Sequence, residues 1–172
     1  MFDIVVIGAG PTGLVSALTF AQAGCEVAVV DPVDRAGVAA KVCNDTTQDR
    51  RTTAHLTPTV KFLESLGIWK EISCNACALE RLVIIEDSSR NLMSGGRKRT
   101  VFDPSELGNQ NFGYNVSITD NLEGLAKLVK ANRNITSFFG VGLQSIVPDD
   151  EAVYALILHF ESGSAPCSQI RR

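Results

Sequence analysis

Gly8-Ala9-Gly10-Pro11-Thr12-Gly13 is a short run in which each position has a chemical use. Gly8 permits a tight turn. Gly10 has no Cβ, so the backbone there can approach a bulky anion closely. Gly13 lets a following helix pack hard against what precedes it. Pro11 has no N–H to leave unpaired and suits a first helical turn, with Thr12 beside it. A helix opening here points free N–H groups and a positive dipole end at a pyrophosphate. Asp31, 18 residues after Gly13, is placed to accept hydrogen bonds from a ribose diol. Gly8, Gly10, Pro11, Thr12, Gly13 and Asp31 are therefore candidate dinucleotide-binding residues. FAD and NAD share this geometry, and an acid at position 31 argues only against a 2′-phosphate.

The elements around the run must position it. Asp3 to Ile7 is a continuous β-branched run that predicts a strand buried on both faces, as in a parallel sheet. Leu14, Ala17, Leu18 and Ala21 recur at helical spacing, and Gly24 follows where a left-handed residue ends a helix. Cys25 to Val30 predicts a second buried strand ending at Asp31. Residues 32–50 read as a polar loop. A helix should then carry Leu56, Val60, Leu63 and Leu66 on one face and end at Gly67, with Ile68-Trp69 tucked beneath. Leu79 to Glu86 predicts a strand, 88–98 a turn-rich stretch, and Thr100 to Phe102 a strand pairing back. Gly113 to Ile118 is extended. A helix over Asn121 to Asn132 follows, with Thr119 or Asp120 as its cap. Ile135 to Phe139 is a short buried strand, and 142–147, 152–160 and 166–170 form an antiparallel meander.

The chain has 172 residues, 45% of them apolar and 20% charged, which suits one packed domain. Sixteen Lys+Arg against nineteen Asp+Glu give a net charge of −3, so no basic field invites nucleic acid. The apolar runs are too short to cross a bilayer. Met1-Phe2-Asp3 leads straight into the first strand pattern without a signal-peptide core, which makes a cytoplasmic location the default expectation. Five scattered cysteines fit a reducing compartment better than a disulfide framework. Cys74-Asn-Ala-Cys77 is a lone CxxC, and the chain's two histidines, His55 and His159, do not complete a metal set; no metal centre is expected. Arg97-Lys98-Arg99 reads as a solvated hairpin turn. No Ser-His-Asp set or carboxylate pair stands out, and no catalytic side chain is assigned.

Several segments together resemble the flavoprotein aromatic hydroxylases of the para-hydroxybenzoate-hydroxylase-like class, most nearly the bacterial ubiquinone-biosynthesis hydroxylases. They are Gly8 to Asp31; Asp49-Arg50-Arg51-Thr52-Thr53-Ala54; Phe62-Leu63-Glu64-Ser65-Leu66-Gly67-Ile68-Trp69; Phe102; Glu106-Leu107-Gly108; and Phe112-Gly113-Tyr114-Asn115. The resemblance runs in register along essentially the whole chain. It implies an α/β, Rossmann-type FAD-binding three-layer fold with a parallel sheet and an antiparallel β-meander. The FAD-binding domain would comprise 1–77 and 111–172, incomplete at the C-terminus. Residues 78–110 would be the first part of an inserted substrate-side β-sheet.

The resemblance also implies FAD, with Arg51 near its phosphates or ribityl chain, Thr52 and Thr53 near the flavin, and the Leu143 backbone at the adenine. A planar, permanently charged fork suits the place given to Arg51. NAD(P)H is implied as co-substrate and O₂ as oxidant, with an aromatic or prenylated phenol as substrate. Peripheral association with the inner membrane is a further implication. Two departures stand out: position 55 is His where the family usually has Leu, and Val116 to Leu122 lacks an expected Arg. The Asp-Gly and Gly-Asp-Ala motifs expected further on do not occur before Arg172, so no turnover is expected from this chain alone. Two other functions remain: a non-catalytic nucleotide-binding fragment, and an FAD-dependent reductase or dehydrogenase such as a prenyl-lipid reductase.

Overall fold

The computed structural model describes residues 2–33, 50–86, 98–147, 155–160 and 169–170. Strand β1 (Ile4–Ile7) leads into helix α1 (Pro11–Gln22) and then strand β2 (Val27–Asp31). Strand β3 (Thr52–Leu56) runs into helix α2 (Thr57–Ser65), followed by the short helix α3 (Trp69–Ile72) and strand β4 (Cys77–Ala78). Strands β5 (Leu82–Glu86) and β6 (Lys98–Phe102) precede a single 3-10 turn, Pro104–Leu107. Then come β7 (Gly113–Ser117), α4 (Ile118–Ala131), β8 (Ile135–Phe139), β9 (Val141–Val147), β10 (Ala155–Phe160) and β11 (Gln169–Ile170).

β1, β2 and β8 form a parallel sheet in the order β1-β2-β8, with Ile4 opposite Val27 and Val27 opposite Ile135. Alternation along β2 sends its side chains to two different cores. Val27 and Val29 pack with Leu14, Ala17, Leu18 and Ala21 of α1 and with Leu125 and Val129 of α4. Val30 packs on the other face with Val5, Phe138, Val141 and Leu143. The antiparallel sheet β11-β10-β9 therefore covers one face of the parallel sheet and the helices cover the other. This is the three-layer α/β arrangement expected from the sequence.

Strand β1 differs from its expectation. Among the described residues it bonds to β2 on one side only, so it is half-buried and Ile7 is 50% exposed. In the parallel sheet, β2, flanked on both sides, is buried throughout, whereas β1 and β8 are not. β2 also begins at Val27 rather than Cys25, because the left-handed Gly24 (φ +92°) keeps the next two residues outside the ladder.

The remaining elements frame the helical side. β3, β7 and β4 make a small antiparallel sheet in the order β3-β7-β4. β3 was not expected as a strand. It takes that form because β7 pairs along its whole length, Thr52 opposite Ser117 to Leu56 opposite Gly113. Leu56 consequently precedes α2, and it is exposed rather than part of the helix's apolar face. Val60 and Leu63 are buried as expected, Gly67 ends the helix at φ +69°, and Ile68 sits in the core.

Helix α4 starts three residues earlier than the apolar pattern suggests. Its cap is Ser117, not Thr119 or Asp120: Ser117 Oγ accepts from Asp120 N–H (2.9 Å) and donates to Asp120 Oδ2 (2.8 Å). At Gly124 a methyl would lie 2.6 Å from the Glu71 carbonyl oxygen and 2.8 Å from Ile72 Cγ2, so a glycine is what lets α3 seat on α4. β5 and β6 pair as the expected hairpin, though β5 starts at Leu82; Leu79 instead bonds the chain at Phe112 and Gly113. The meander is present with β10 over 155–160. The loop expected over 32–50 and the turn expected over 88–98 lie almost wholly outside the described residues.

Candidate cofactor-binding site

The glycine run lies at the C-terminal ends of β1 and β2, where an open parallel sheet offers a crevice. Gly8 takes φ +99°, a conformation that side chains disfavour, and its N–H donates to the Val30 carbonyl at 2.7 Å. The chain thus turns sharply out of β1 while still tied to β2. Ala9 is fully buried, and Gly10 caps α1 with extended backbone. Pro11 opens the helix, as expected, and Leu14 N–H makes the first helical bond to the Gly10 carbonyl (3.0 Å).

A Cβ at Gly13 would collide with the Gly8 carbonyl oxygen and approach Val6 Cγ1 to 3.5 Å. Gly13 is therefore the contact on which α1 lies against the loop. A Cβ at Gly10 would meet nothing within 4 Å among the described residues, so none of them fills the space over the loop at the helix start.

No side chain caps α1 and no acidic residue stands in its first turn. The first N–H groups of a helix have no partner within it, and here no capping side chain takes them. Asp31 completes this end of the sheet. Its Oδ2 accepts from Ala9 N–H at 2.6 Å and its Oδ1 from Val33 N–H at 2.8 Å. The carboxylate thus holds the glycine loop in place, a role that spacing alone did not suggest.

A cleft of about 510 Å³ runs from Pro11 and Thr12 along α1, between β3 and α2, down to Asn121 and Leu125 of α4. Thr53 lines it with Thr12, which joins two of the expected site segments. Arg51 and Thr52 are exposed at the start of β3 and are not among its lining residues; the Arg51 carbonyl accepts from Ile118 N–H (3.0 Å). Leu143 lies on the opposite face of the sheet, half-buried beside Val30 near the end of β2.

One polar group in the cleft was only half-legible. His55, noted as a departure from the family, is 9% exposed, and its Nε2 is 2.9 Å from Oδ1 of Asn121, itself 1% exposed. Trp69 meets the imidazole edge-on, ring centres 5.9 Å apart, and Tyr114 lies beyond Trp69 at 5.4 Å. The sequence signal for Asn121 is a polar residue inside an apolar helical pattern.

Two carboxyls away from the cleft are shifted. The Lys127 ammonium, bonded at 2.6 Å, holds the Glu71 carboxyl below its usual range. Hydrogen bonds from Ser105 do the same for Asp103. Among the described residues no three His, Cys, Asp or Glu side chains gather as metal ligands, and no helix is long and apolar enough to cross a membrane.

A family model described as an FAD binding domain matches residues 1–165. No curated protein sequence matches significantly. Solved structures share the fold at low identity. The p-nitrophenol 4-monooxygenase PnpA from Pseudomonas putida is 18% identical with a TM-score of 0.69, over 98% of this chain and 38% of that one. The flavin-dependent monooxygenase PieE, solved with FAD and substrate, is 16% identical with a TM-score of 0.73, over 99% and 28%. Aklavinone-11 hydroxylase, solved with FAD and aklavinone, is 19% identical with a TM-score of 0.66, over 99% and 31%. The chain thus spans roughly a third of the length of these proteins, and over that span its glycine loop, three-layer fold and family match agree: it belongs to the FAD-binding domain family.

Proposed function

We propose that this chain is the FAD-binding part of a flavin-dependent monooxygenase that hydroxylates an aromatic or quinone-precursor ring with NAD(P)H and O₂. The observation that carries the reading is the start of α1: a helix end with no side-chain cap and no acid in its first turn, beside the Asp31 carboxylate, where no described residue lies within 4 Å of a Cβ at Gly10. A pyrophosphate fits there by charge and by space. Asp31, which holds the loop, stands at the end of β2 where a ribose diol would be received.

When bound, FAD supplies the redox and oxygen chemistry, which the protein directs. The chain's own residues bind and orient. The N–H groups at Thr12 and Gly13 take the pyrophosphate, and Gly10 leaves room for it. Arg51 supplies a permanent positive charge toward the phosphates, Thr52 and Thr53 border the flavin, and the Leu143 backbone borders the adenine. The paired β5–β6 strands begin a substrate-side sheet over 78–110, and the rest of the chain forms the FAD domain. The apolar walls of the cleft keep water from a bound ring.

PnpA, PieE and aklavinone-11 hydroxylase are monooxygenases or hydroxylases, which supports this reaction class. The resemblance of the Arg51 and Trp69 segments supports a place in ubiquinone biosynthesis, with a prenylated phenol as substrate, a cytoplasmic location and peripheral contact with the inner membrane. The test uses isotopically labelled O₂ with FAD, NAD(P)H and a candidate phenol, supplied to the protein carrying this domain. One labelled oxygen atom in the product is expected. Reduction of the substrate without oxygen incorporation would instead establish a reductase on this fold.

A further inference from the structure

We propose that His55 is a ligand-binding residue whose Nδ1 accepts a hydrogen bond from the hydroxyl of an aromatic ring lying in the cleft between α1, β3 and α2. The choice of ring rests on the function proposed above; the acceptor itself follows from the geometry.

The tautomer of His55 is set by Asn121. The Asn121 amide Nδ2 donates to the Ser117 carbonyl at 2.9 Å and reaches toward the Val116 carbonyl at 3.5 Å. That fixes the amide and turns its oxygen to His55 Nε2, 2.9 Å away. An amide oxygen only accepts, so Nε2 donates. A neutral imidazole donating through Nε2 carries its lone pair on Nδ1. Among the described residues, the bond to Asn121 is the one hydrogen bond this ring makes. The ring cannot easily turn away, because Trp69 stands against it and the β3–β7 pairing holds its backbone opposite Tyr114.

His55 is more than nine-tenths buried, lines the cleft and carries an acceptor that meets no donor among the described residues. Such a group is costly to leave unmade and is satisfied by a ligand donor. The surroundings choose the donor. Val15, Phe20, Phe62, Leu63 and Leu125 give the cleft apolar walls, and among the described residues no carboxylate lines it to hold a cation. An anion would bring a second lone pair to Nδ1. A neutral hydroxyl on a flat apolar body satisfies both the walls and the acceptor, and about 510 Å³ accommodates it. Pro11 and Thr12, at the end of α1 assigned to the pyrophosphate, line the same cleft, so a ring there would be close to a cofactor held at that end.

The test is nitrogen NMR of the His55 imidazole in the full chain, titrated with phenol and with anisole, its methyl ether. Phenol should move the Nδ1 resonance in a saturable way, leave Nε2 protonated, and bind at least about tenfold tighter than anisole. His55→Leu should bring the two probes to equal affinity. His55→Gln, which can still donate to Asn121 and offer an acceptor, should keep the preference for phenol. Equal binding of both probes by the unaltered protein, or an unmoved Nδ1 resonance, overturns the proposal even if the leucine variant does not fold. A shift with FAD alone and none with phenol overturns it in favour of a ribityl hydroxyl. Phenol binding needs no cofactor, so a failure of FAD binding in a separate titration is told apart from a failure of this site.

Discussion

Two substitutions three residues apart should separate the binding role of the glycine loop from its structural role. Gly13→Ala puts a methyl into the Gly8 carbonyl oxygen and 3.0 Å from the Gly8 carbonyl carbon. Both obstacles are backbone, so α1 must move off the loop. Overpacking of this kind costs about 1–3 kcal/mol, and the contact with backbone places it at the upper end. Alanine returns somewhat under 1 kcal/mol of helix propensity. The net expectation is a loss of about 2 kcal/mol, a roughly thirtyfold fall in the folding equilibrium.

Gly10→Val is the counterpart. Gly10 has φ −71° and ψ 174°, which valine adopts readily, and its Cβ would meet nothing within 4 Å. The stability cost is that of a poorer cap, about 1 kcal/mol or less. The side chain instead fills the space over the helix start. Loss of two hydrogen bonds to a charged group, each worth about 1.5–3 kcal/mol, should weaken FAD binding by more than about 100-fold. Urea unfolding followed by circular dichroism reads the first effect, and titration of flavin fluorescence reads the second. Unchanged flavin affinity in Gly10→Val would refute the assignment of the pyrophosphate to this loop. A neutral Gly13→Ala would refute the packing argument.

Other outcomes follow from the same packing and charge arguments. Ser117→Ala removes the cap of α4 and should cost about 1 kcal/mol, seen as a lower urea midpoint with an unchanged slope. Leu125→Ala leaves a hole where α4 meets α1 and should cost about 2–5 kcal/mol in the same assay. The Glu71–Lys127 pair lowers the Glu71 pKa, so its contribution is present at neutral pH and is lost as the pH falls through the lowered value. The stability difference between the native protein and Glu71→Gln should therefore shrink in acid and in high salt; a difference that grows in acid would contradict the pairing.

The β1–α1–β2 unit was legible because every signal in it is local. A β-branched run, helical spacing of Leu14, Ala17, Leu18 and Ala21, and glycines at both turns each act within a few residues. What the sequence hid depends on partners distant along the chain. Thr52 to Leu56 has no apolar alternation, and β7 alone makes it a strand. The apolar pattern of α4 opens only at Leu122, whereas the cap pairs Ser117 with Asp120 across a first turn without that pattern. β1 reads as doubly buried from composition, yet exposure is set by its place in the sheet order.

The site divides in the same way. Gly8, Gly10, Pro11, Thr12 and Gly13 stand where spacing put them, and Asp31 stands beside them. That Asp31 also ties down Ala9 is a distance, not a pattern, and no spacing rule contains it. His55 was visible as an unusual residue, but its meaning came only with Asn121, 66 residues later, buried beside it. A buried polar pair of this kind has two ordinary-looking halves in the sequence and becomes legible only when the fold joins them.

The central claim, that the start of α1 holds the pyrophosphate of FAD, is tested most directly by comparing FAD with riboflavin. Both carry the flavin ring, and riboflavin lacks the pyrophosphate and adenosine. Calorimetric titration of the protein should give one saturable FAD site and riboflavin binding at least about 100-fold weaker, as expected for losing the charge-assisted bonds at the helix end. Equal affinity for the two flavins, or no FAD binding at all, would contradict the account.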